Sequence, residues 1–242
     1  AYQLEPEIYS QRTLNELIRV LNARHIKNYP IHIKLDTGMH RLGFMENEVD
    51  ALLAQLKETD AVHVKSVLSH LVASENPNFD DFTHQQIQLF DRLSKKIEAS
   101  LGYSFIRHIA NTSGIDRFPD AQFDMVRLGI GLYGINKNYP ASSPLQTVTT
   151  LKTSVSQIKD IPTGDTIGYG REGKMPQGGR TATVKIGYAD GYNQALGKGV
   201  GRMLINNQYA PTIGKICMDM TMLDVTGLNV AEGDEVIVFN DE

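Results

Sequence analysis

In the first half of the chain, stretches with apolar residues three and four positions apart alternate with short stretches in which every second residue is apolar. The first spacing is that of one face of an α-helix, and the second is that of a β-strand. Ser10 stands where an N-cap would begin the first helix. The pattern predicts three helices with these inward positions: Leu14, Leu17, Ile18 and Leu21; Val49, Leu52, Leu53 and Leu56; and Leu89, Phe90, Leu93 and Ile97. It predicts strands over residues 4–9, 31–35, 62–68, 105–110 and 125–128.

Strands and helices that alternate along the chain are typical of an α/β fold with a parallel sheet. Polar side chains follow the strands, as in a (β/α)8 barrel, which assembles its site from the loops at one face. The pattern has about five strands, and such a barrel has eight. We therefore expect residues 1–140 to be the C-terminal portion of a TIM-type barrel, with roughly the first three βα units absent.

After Pro140 the helical spacing disappears, and short apolar runs are separated by turns rich in Gly, Asn and Asp. These runs predict strands over residues 147–161, 181–187, 202–205, 209–213, 221–225 and 235–239. We expect residues 141–242 to form an all-β domain, with the boundary in the Asn-, Pro- and Ser-rich residues 136–144.

Charge and composition narrow the possible partners and the compartment. The formal net charge is -4 and no basic run is interleaved with aromatic residues, which argues against nucleic acid and acidic membranes as partners. The single cysteine, Cys217, excludes an intramolecular disulfide and is typical of a reducing compartment. With no signal peptide and no apolar run long enough to cross a bilayer, we expect a cytoplasmic protein. The chain begins at Ala1 rather than Met, so we expect it to be a piece of something longer.

The stretch from Lys34 to Phe44, KLDTGMHRLGF, follows a predicted strand and carries Lys34, Asp36 and Arg41 around glycine turns. The carboxyl ends of parallel strands are where α/β folds bind ligands. Packing alone does not explain why so many charged side chains follow this strand, which favours a ligand site. The alternative is a charged turn that is closed by one ion pair.

Other strand ends carry further candidates. His70 is a general base, an orienting hydrogen-bond partner or a buried histidine with satisfied nitrogens. Arg127 lies on an apolar segment and needs a carboxylate, a ring nitrogen or a phosphate, because an unpaired buried guanidinium is costly. Thr112 and the amides of residues 129–131, Gly-Ile-Gly, suit a phosphate.

In the second half, small residues flank Tyr169 and Tyr188. Each tyrosine is either an exposed ring in a β-turn or a phenol at the mouth of a site. A phenol becomes a base only where nearby cations favour the phenolate. Nothing beside Cys217 in the sequence lowers its pKa, so we expect an inert buried thiol.

Taken together, these segments resemble the alanine racemases, pyridoxal-phosphate enzymes with an N-terminal barrel and a C-terminal β domain. The resemblance runs through nearly the whole chain and is carried, in the family's order, by KLDTGMHRLGF, Ser69-His70, Ala110-Asn111-Thr112-Ser113, Met125 to Ile130 with Tyr133-Gly134, Gly168-Tyr169-Gly170, IGYADGY and KICMDM.

The resemblance implies an isomerase that converts L-alanine to D-alanine for peptidoglycan synthesis in the bacterial cytoplasm. It makes Tyr169 the catalytic base in an active site shared across a homodimer. Arg41 then binds near the substrate carboxylate and this tyrosine, and His70 orients the phenol. Lys34 matches a lysine that supports the arginine and is carbamylated in some relatives.

For the cofactor, the resemblance implies that Arg127 faces the pyridine nitrogen, and that Thr112, Gly129 and Ile130 hold the phosphate. The amide of Met218 contacts the substrate carboxylate, and Tyr188 lines the entrance. An arginine at the ring nitrogen leaves it unprotonated. Our hypothesis is that this restrains side reactions such as transamination.

The sequence departs from the family in four places. No segment matches the Schiff-base lysine, so we expect these residues alone to have negligible racemase activity. The chain ends at Glu242, before the tyrosine-bearing segment that closes the family's β domain, so we expect a truncated domain. Thr112 stands where the family has serine, and His40 stands where it has a small residue.

Three alternatives remain open. The first is a racemase of broader amino-acid specificity, and the second is a decarboxylase with the same two-domain plan. The third is a non-catalytic dimerising segment of a longer protein, such as the racemase part of a fusion with a cell-wall ligase. The complete KLDTGMHRLGF and IGYADGY segments favour the alanine enzyme over the decarboxylases. A cofactor-binding barrel without racemase activity is disfavoured, because such proteins have no β domain.

Overall fold

The computed structural model describes residues 4–135 and 145–240. The chain divides into two compact units, Ala1–Leu145 (unit 1) and Gln146–Glu242 (unit 2). The predicted boundary over residues 136–144 lies outside the described residues.

Unit 1 alternates strands and helices around a parallel sheet, as the sequence pattern predicts. Its strands lie side by side in chain order, β1-β2-β3-β4, and each neighbouring pair is parallel. The elements are β1 (Glu7–Ile8), α1 (Gln11–Ala23), β2 (Tyr29–Lys34), α2 (Val49–Glu58), β3 (Val62–Leu68), α3 (Asp80–Leu101), β4 (Ile106–His108) and α4 (Thr112–Arg117).

The two faces of β2 are chemically different. Ile31 and Ile33 are completely buried in the same apolar cluster as Leu14 of α1 and Phe90 of α3. Successive side chains of a strand point to opposite faces, so His32 and Lys34 lie on the other face of the sheet. This second face carries the polar groups that are described below.

The prediction of a fifth strand over residues 125–128 is wrong. Residues 124–127 run beside β4 and the residues that follow it, and donate two hydrogen bonds, from Asp124 N to Arg107 O at 3.1 Å and from Arg127 N to Ala110 O at 3.0 Å. The two bonds are three residues apart on both segments, whereas a parallel strand donates from every second residue. The sheet in the described part of unit 1 therefore has four strands, and the chain then enters a short 3₁₀ helix at residues 130–133.

Unit 2 is built from strands, as predicted. Six of them form one antiparallel sheet in the order β10-β9-β12-β5-β8-β11, and β6 pairs with β7. The first predicted strand begins at Leu151 rather than residue 147, and the pair β6–β7 was not predicted. The strands are β5 (Leu151–Ile161), β6 (Thr166–Ile167), β7 (Gly173–Lys174), β8 (Gly179–Val184), β9 (Arg202–Ile205), β10 (Gln208–Pro211), β11 (Thr221–Asp224) and β12 (Glu235–Phe239).

Candidate active site

The guanidinium of Arg127 lies among the carboxyl ends of β3 and β4. Its Nη2 donates to Ser69 O at 2.5 Å and to Ile109 O at 3.4 Å, and its Nη1 donates to His108 O at 3.2 Å and to His108 Nδ1. Burial lowers the pKa of Arg127 from its ordinary value, but an arginine stays protonated throughout the physiological range. Among the three predicted kinds of partner, the structure provides a ring nitrogen, that of His108, together with backbone carbonyls.

His70 lies beside this guanidinium, with its Nδ1 3.4 Å from Arg127 Nη2. Burial lowers the pKa of His70, and the charges of Arg127, Arg41 and Lys34 lower it further. The ring is therefore neutral at pH 7. Because arginine can only donate, Nδ1 accepts, and the single ring proton lies on Nε2. His70 thus offers the site a hydrogen-bond donor.

The loop after β2 is organised by Asp36. Its Oδ1 accepts hydrogen bonds from the amides of Gly38 and His40, both at 3.0 Å, and its Oδ2 lies 3.2 Å from His40 Nδ1. Burial acts to raise the pKa of the Asp36 carboxyl, but these hydrogen bonds outweigh burial and hold the pKa below its usual range. The alternative of a charged turn closed by one ion pair corresponds to the contact of Asp36 with His40, which is an ion pair only when the histidine is protonated. Arg41 takes no part in that contact.

Lys34 pairs with a carboxylate, whereas Arg41 has no such partner in the described residues. Lys34 Nζ lies 3.2 Å from Glu7 Oε1, and the lysine side chain is largely buried. Arg41 is exposed, and within the described residues its guanidinium has no hydrogen-bond partner. It therefore remains available to an anionic ligand.

Thr112 and the glycine turn after Arg127 come together. Thr112 Oγ1 is buried and accepts hydrogen bonds from Gly129 N at 3.0 Å and Gly131 N at 3.2 Å. Two accepted bonds leave the hydroxyl proton free to donate outward. The amide of Ile130, between these glycines, donates to no group in the described part of the chain. One hydroxyl and one amide are thus available to a phosphate.

In unit 2, Tyr169 projects from a turn between two glycines. Gly168 and Gly170 have φ angles of 73° and 68°, which side-chain-bearing residues rarely adopt. Tyr169 is 70% exposed. The Gly-Tyr-Gly sequence therefore presents the phenol outward from β6.

The IGYADGY and KICMDM segments meet through their backbones. Tyr188 N donates to Cys217 O at 3.0 Å, and Ala189 N donates to Met218 O at 2.9 Å. A Cβ atom on Gly187 would overlap the carbonyl oxygens of Cys217 and Met218, so this approach requires glycine.

A groove of about 800 Å³ lies on the face of β5, β8 and β11, and its lining includes Tyr169, Cys217, Met218 and Met220. The amide of Met218 has no hydrogen-bond partner within residues 145–240. Cys217 is partly rather than fully buried, and burial raises the pKa of its thiol. The expectation of an unreactive thiol agrees with this direction.

The side chains that hold Arg127 from the polar face of the sheet were not among the predicted site residues. His108 bonds directly to the guanidinium, and Ser66 and His32 lie behind it. One signal was present: His32 alternates with Ile31 and Ile33, so a polar face of β2 was already visible. The approach of His108 and Ser66 depended on the register of three strands, which periodicity does not provide.

Residues 4–135 and 145–240 contain no cluster of three or more His, Cys, Asp or Glu side chains arranged to bind a metal. In the same residues, no helix combines the length and apolarity needed to cross a membrane.

Comparison with known proteins finds that both units match domains of one protein family. The family described as "Alanine racemase, N-terminal domain" matches residues 1–137, and "Alanine racemase, C-terminal domain" matches residues 148–242. Alanine racemase 1 of Oceanobacillus iheyensis is 34% identical over 249 residues, covering 100% of this chain and 65% of the relative. Alanine racemase 1 of Clostridium acetobutylicum is also 34% identical, covering 99% of this chain and 63% of the relative.

Solved structures of alanine racemases have a similar fold. The alanine racemase from Streptomyces coelicolor superimposes with a TM-score of 0.89 at 26% identity, covering 99% of this chain and 64% of that one. The alanine racemase from Bartonella henselae, with covalently bound pyridoxal phosphate, has a TM-score of 0.82 at 29% identity, covering 98% and 65%. The chain therefore spans slightly less than two thirds of the length of these relatives, and its fold is that of an N-terminal barrel-like domain and a C-terminal β domain.

Proposed function

Because the chain belongs to the alanine racemase family, we propose that its residues serve the interconversion of L-alanine and D-alanine in an enzyme that uses pyridoxal phosphate. The observation that carries the proposal is the placement of Arg127 among Ser69, His70 and His108, with the Thr112 hydroxyl close to the glycine turn that follows. The names of the relatives favour a racemase over a decarboxylase. In a bacterial cytoplasm, D-alanine made in this way would supply peptidoglycan.

The residues of unit 1 fit the cofactor at both of its ends. The hydroxyl of Thr112 and the amide of Ile130 can donate to a phosphate, and Gly129 leaves room for its oxygens. At the other end, four of the five guanidinium N–H groups of Arg127 are engaged, and the Nε–H has no partner among the described residues. A guanidinium can only donate, so Arg127 would face a ring nitrogen that carries no proton.

When bound, pyridoxal phosphate supplies a π-system that delocalises the negative charge left on the substrate α-carbon. The protein must then remove a proton from one face and return one to the other. We assign one of these tasks to the phenol of Tyr169. In the homodimer that the family resemblance implies, the Nε2–H of His70 would donate to the phenol oxygen of the other copy.

The family resemblance further supports a homodimer in which Tyr169 of one copy completes the site of the other. Arg41 would bind the substrate carboxylate, as its free guanidinium permits, and the amide of Met218 would donate to the same group. Tyr188 would line the entrance. Lys34 is held by Glu7, and its carbamylation remains a proposal.

We also propose that the four-stranded sheet of unit 1 is part of a (β/α)8 barrel and that the boundary between the domains falls near residue 140. The 242 residues contain no segment like the family's Schiff-base lysine. We therefore expect residues 1–242, expressed alone, to show negligible racemisation.

The direct test is Tyr169→Phe in the natural full-length polypeptide. Positioned acid–base groups contribute roughly 10²- to 10⁴-fold, so we expect racemisation of L-alanine to fall by at least about 100-fold. D-alanine formation is measured with a D-amino-acid oxidase assay. Tyr209→Phe is the matched control, because this tyrosine lies on the outer strand β10 and packs against Arg202 of β9. Undiminished turnover by Tyr169→Phe would exclude Tyr169 as the base.

A further inference from the structure

A continuous chain of polar side chains crosses the sheet of unit 1 and ends at Arg127. We call Glu5, His32, Ser66, His108 and Arg127 the polar chain. Its contacts are Glu5 Oε2 to His32 Nε2 at 3.0 Å, His32 Nδ1 to Ser66 Oγ at 2.6 Å, Ser66 Oγ to His108 Nε2 at 3.1 Å, and His108 Nδ1 to Arg127 Nη1. The members from β2, β3 and β4 lie side by side on the polar face of the sheet.

The donor and the acceptor of each hydrogen bond in the polar chain can be assigned by starting from Arg127. Arginine can only donate, so His108 Nδ1 accepts and a neutral His108 carries its proton on Nε2. This proton is donated to Ser66 Oγ. The hydroxyl proton of Ser66 then has one acceptor within reach, His32 Nδ1, which places the His32 proton on Nε2, facing the carboxylate of Glu5.

The opposite direction leaves unsatisfied groups in the interior. If His32 donated to Ser66, the hydroxyl proton would have no acceptor, although Ser66 is only 1% exposed. If His108 carried its proton on Nδ1, two donors would face each other at the guanidinium. An unsatisfied buried polar group is costly, so one arrangement is strongly preferred.

The environment of His108 supports the neutral ring. Burial lowers the pKa of His108 to about 4, and the charge of Arg127 acts in the same direction. His108 is 5% exposed and is therefore a neutral acceptor for the guanidinium across the physiological range.

We propose that Ser66 and His32 are positioning residues, which hold His108 in the Nε2–H tautomer and thereby fix the orientation of the Arg127 guanidinium. With Nη1 and Nη2 held by His108 and by carbonyl oxygens, the Nε–H is the donor left for a ligand. This inference rests on the proposed function only in assigning that ligand to the cofactor ring nitrogen.

The first test needs neither cofactor nor activity. The protein is labelled with ¹⁵N-histidine, and the ¹⁵N shifts of the ring nitrogens are recorded at pH 7.5, since they distinguish the two tautomers. We expect both His108 and His32 to be neutral Nε2–H tautomers. A protonated Nδ1 on either ring would overturn the proposal, whatever reaction the protein catalyses.

The second test removes the middle of the chain. Ser66→Ala takes away the acceptor of His108 Nε2–H and the donor to His32 Nδ1, so we expect the ring-nitrogen signals of both histidines to shift. Ser66→Thr keeps the hydroxyl and should restore them. Ser94→Ala is the matched control, because this buried serine donates to Asp91 O in α3. Equal shifts in Ser66→Ala and Ser94→Ala would refute the coupling.

The full-length holoenzyme provides the functional readout. Ser66→Ala is expected to lower kcat about tenfold with little change in the KM for alanine, and Ser66→Thr to recover most of it. Wild-type kcat in Ser66→Ala, with the histidine signals shifted as expected, would show that the chain is structural only and would overturn the positioning role. Loss of the proposed function itself would instead appear as an inactive wild-type enzyme.

Discussion

Two histidines in unit 1 are held neutral next to a cation, which is unusual for groups with an ordinary pKa of about 6.5. Burial is the leading cause of the lowered pKa at both His70 and His108, and the charge of Arg127 adds to it. Neutral rings allow the guanidinium to be packed against nitrogen acceptors instead of carboxylates. The neutral histidine nitrogens thus orient the Arg127 guanidinium without neutralising its charge.

Acid should therefore destabilise the fold through His108. Its pKa falls from about 6.5 in the unfolded chain to about 4 in the folded one, so the unfolded state binds the proton first. The stability is present above pH 6.5 and is lost as the pH falls towards 4. For this one group the loss amounts to at most about 3 kcal/mol.

Urea unfolding at pH 7 and at pH 4.5 measures this loss. His108→Asn, which does not titrate, should lose less stability between the two pH values than the wild type does. The comparison of the two differences removes the contribution of carboxylates such as Asp36, which titrate in both proteins. Equal losses in the two proteins would contradict the lowered pKa of His108.

At the scale of elements, helix α1 shows how a local signal fixes a boundary. Ser10 Oγ accepts from Thr13 N, and Thr13 Oγ1 accepts from Ser10 N, both at 3.3 Å. This reciprocal pair is a capping box with threonine in the position of the usual Glu or Gln. It begins the helix at Gln11, two residues after the end of β1 at Ile8.

Removing the cap should cost about 1 kcal/mol. We expect Ser10→Ala to lower the free energy of unfolding by this amount in urea titrations. Ser100→Ala, in the last turn of α3, is the control and should change it by less than about 0.5 kcal/mol. A Ser10→Ala protein as stable as the wild type would show that the capping box contributes nothing measurable.

At the scale of the whole molecule, one edge of the unit 1 sheet is open. The outer side of β1 pairs with no strand in the described residues, whereas residues 124–127 run along part of β4. Open strand edges offer unpaired N–H and C=O groups to other chains.

We therefore expect residues 1–242, as a separate polypeptide, to form species larger than a dimer at micromolar concentration. Sedimentation equilibrium measures their mass. A stable monomer or a simple dimer of residues 1–242 would contradict the role of the open edge.

The amino-acid sequence by itself determined much of this protein. Helical and strand periods are local properties, so the three long helices, the first four strands of unit 1 and the β character of unit 2 could be predicted. The family could be recognised because its motifs are contiguous stretches, such as KLDTGMHRLGF. The extra strand at residues 125–128 was predicted wrongly, since an apolar run beside a strand resembles a strand whether or not its hydrogen bonds follow a ladder.

Only the tertiary structure decided what Arg127 touches. His32, Ser66 and His108 are separated by more than thirty residues at each step, and they meet because the register of β2, β3 and β4 brings them to one face. The same holds for the meeting of Tyr188 with Cys217. Long-range register depends on the packing of the whole sheet against its helices, and no local pattern of hydrophobic positions encodes it.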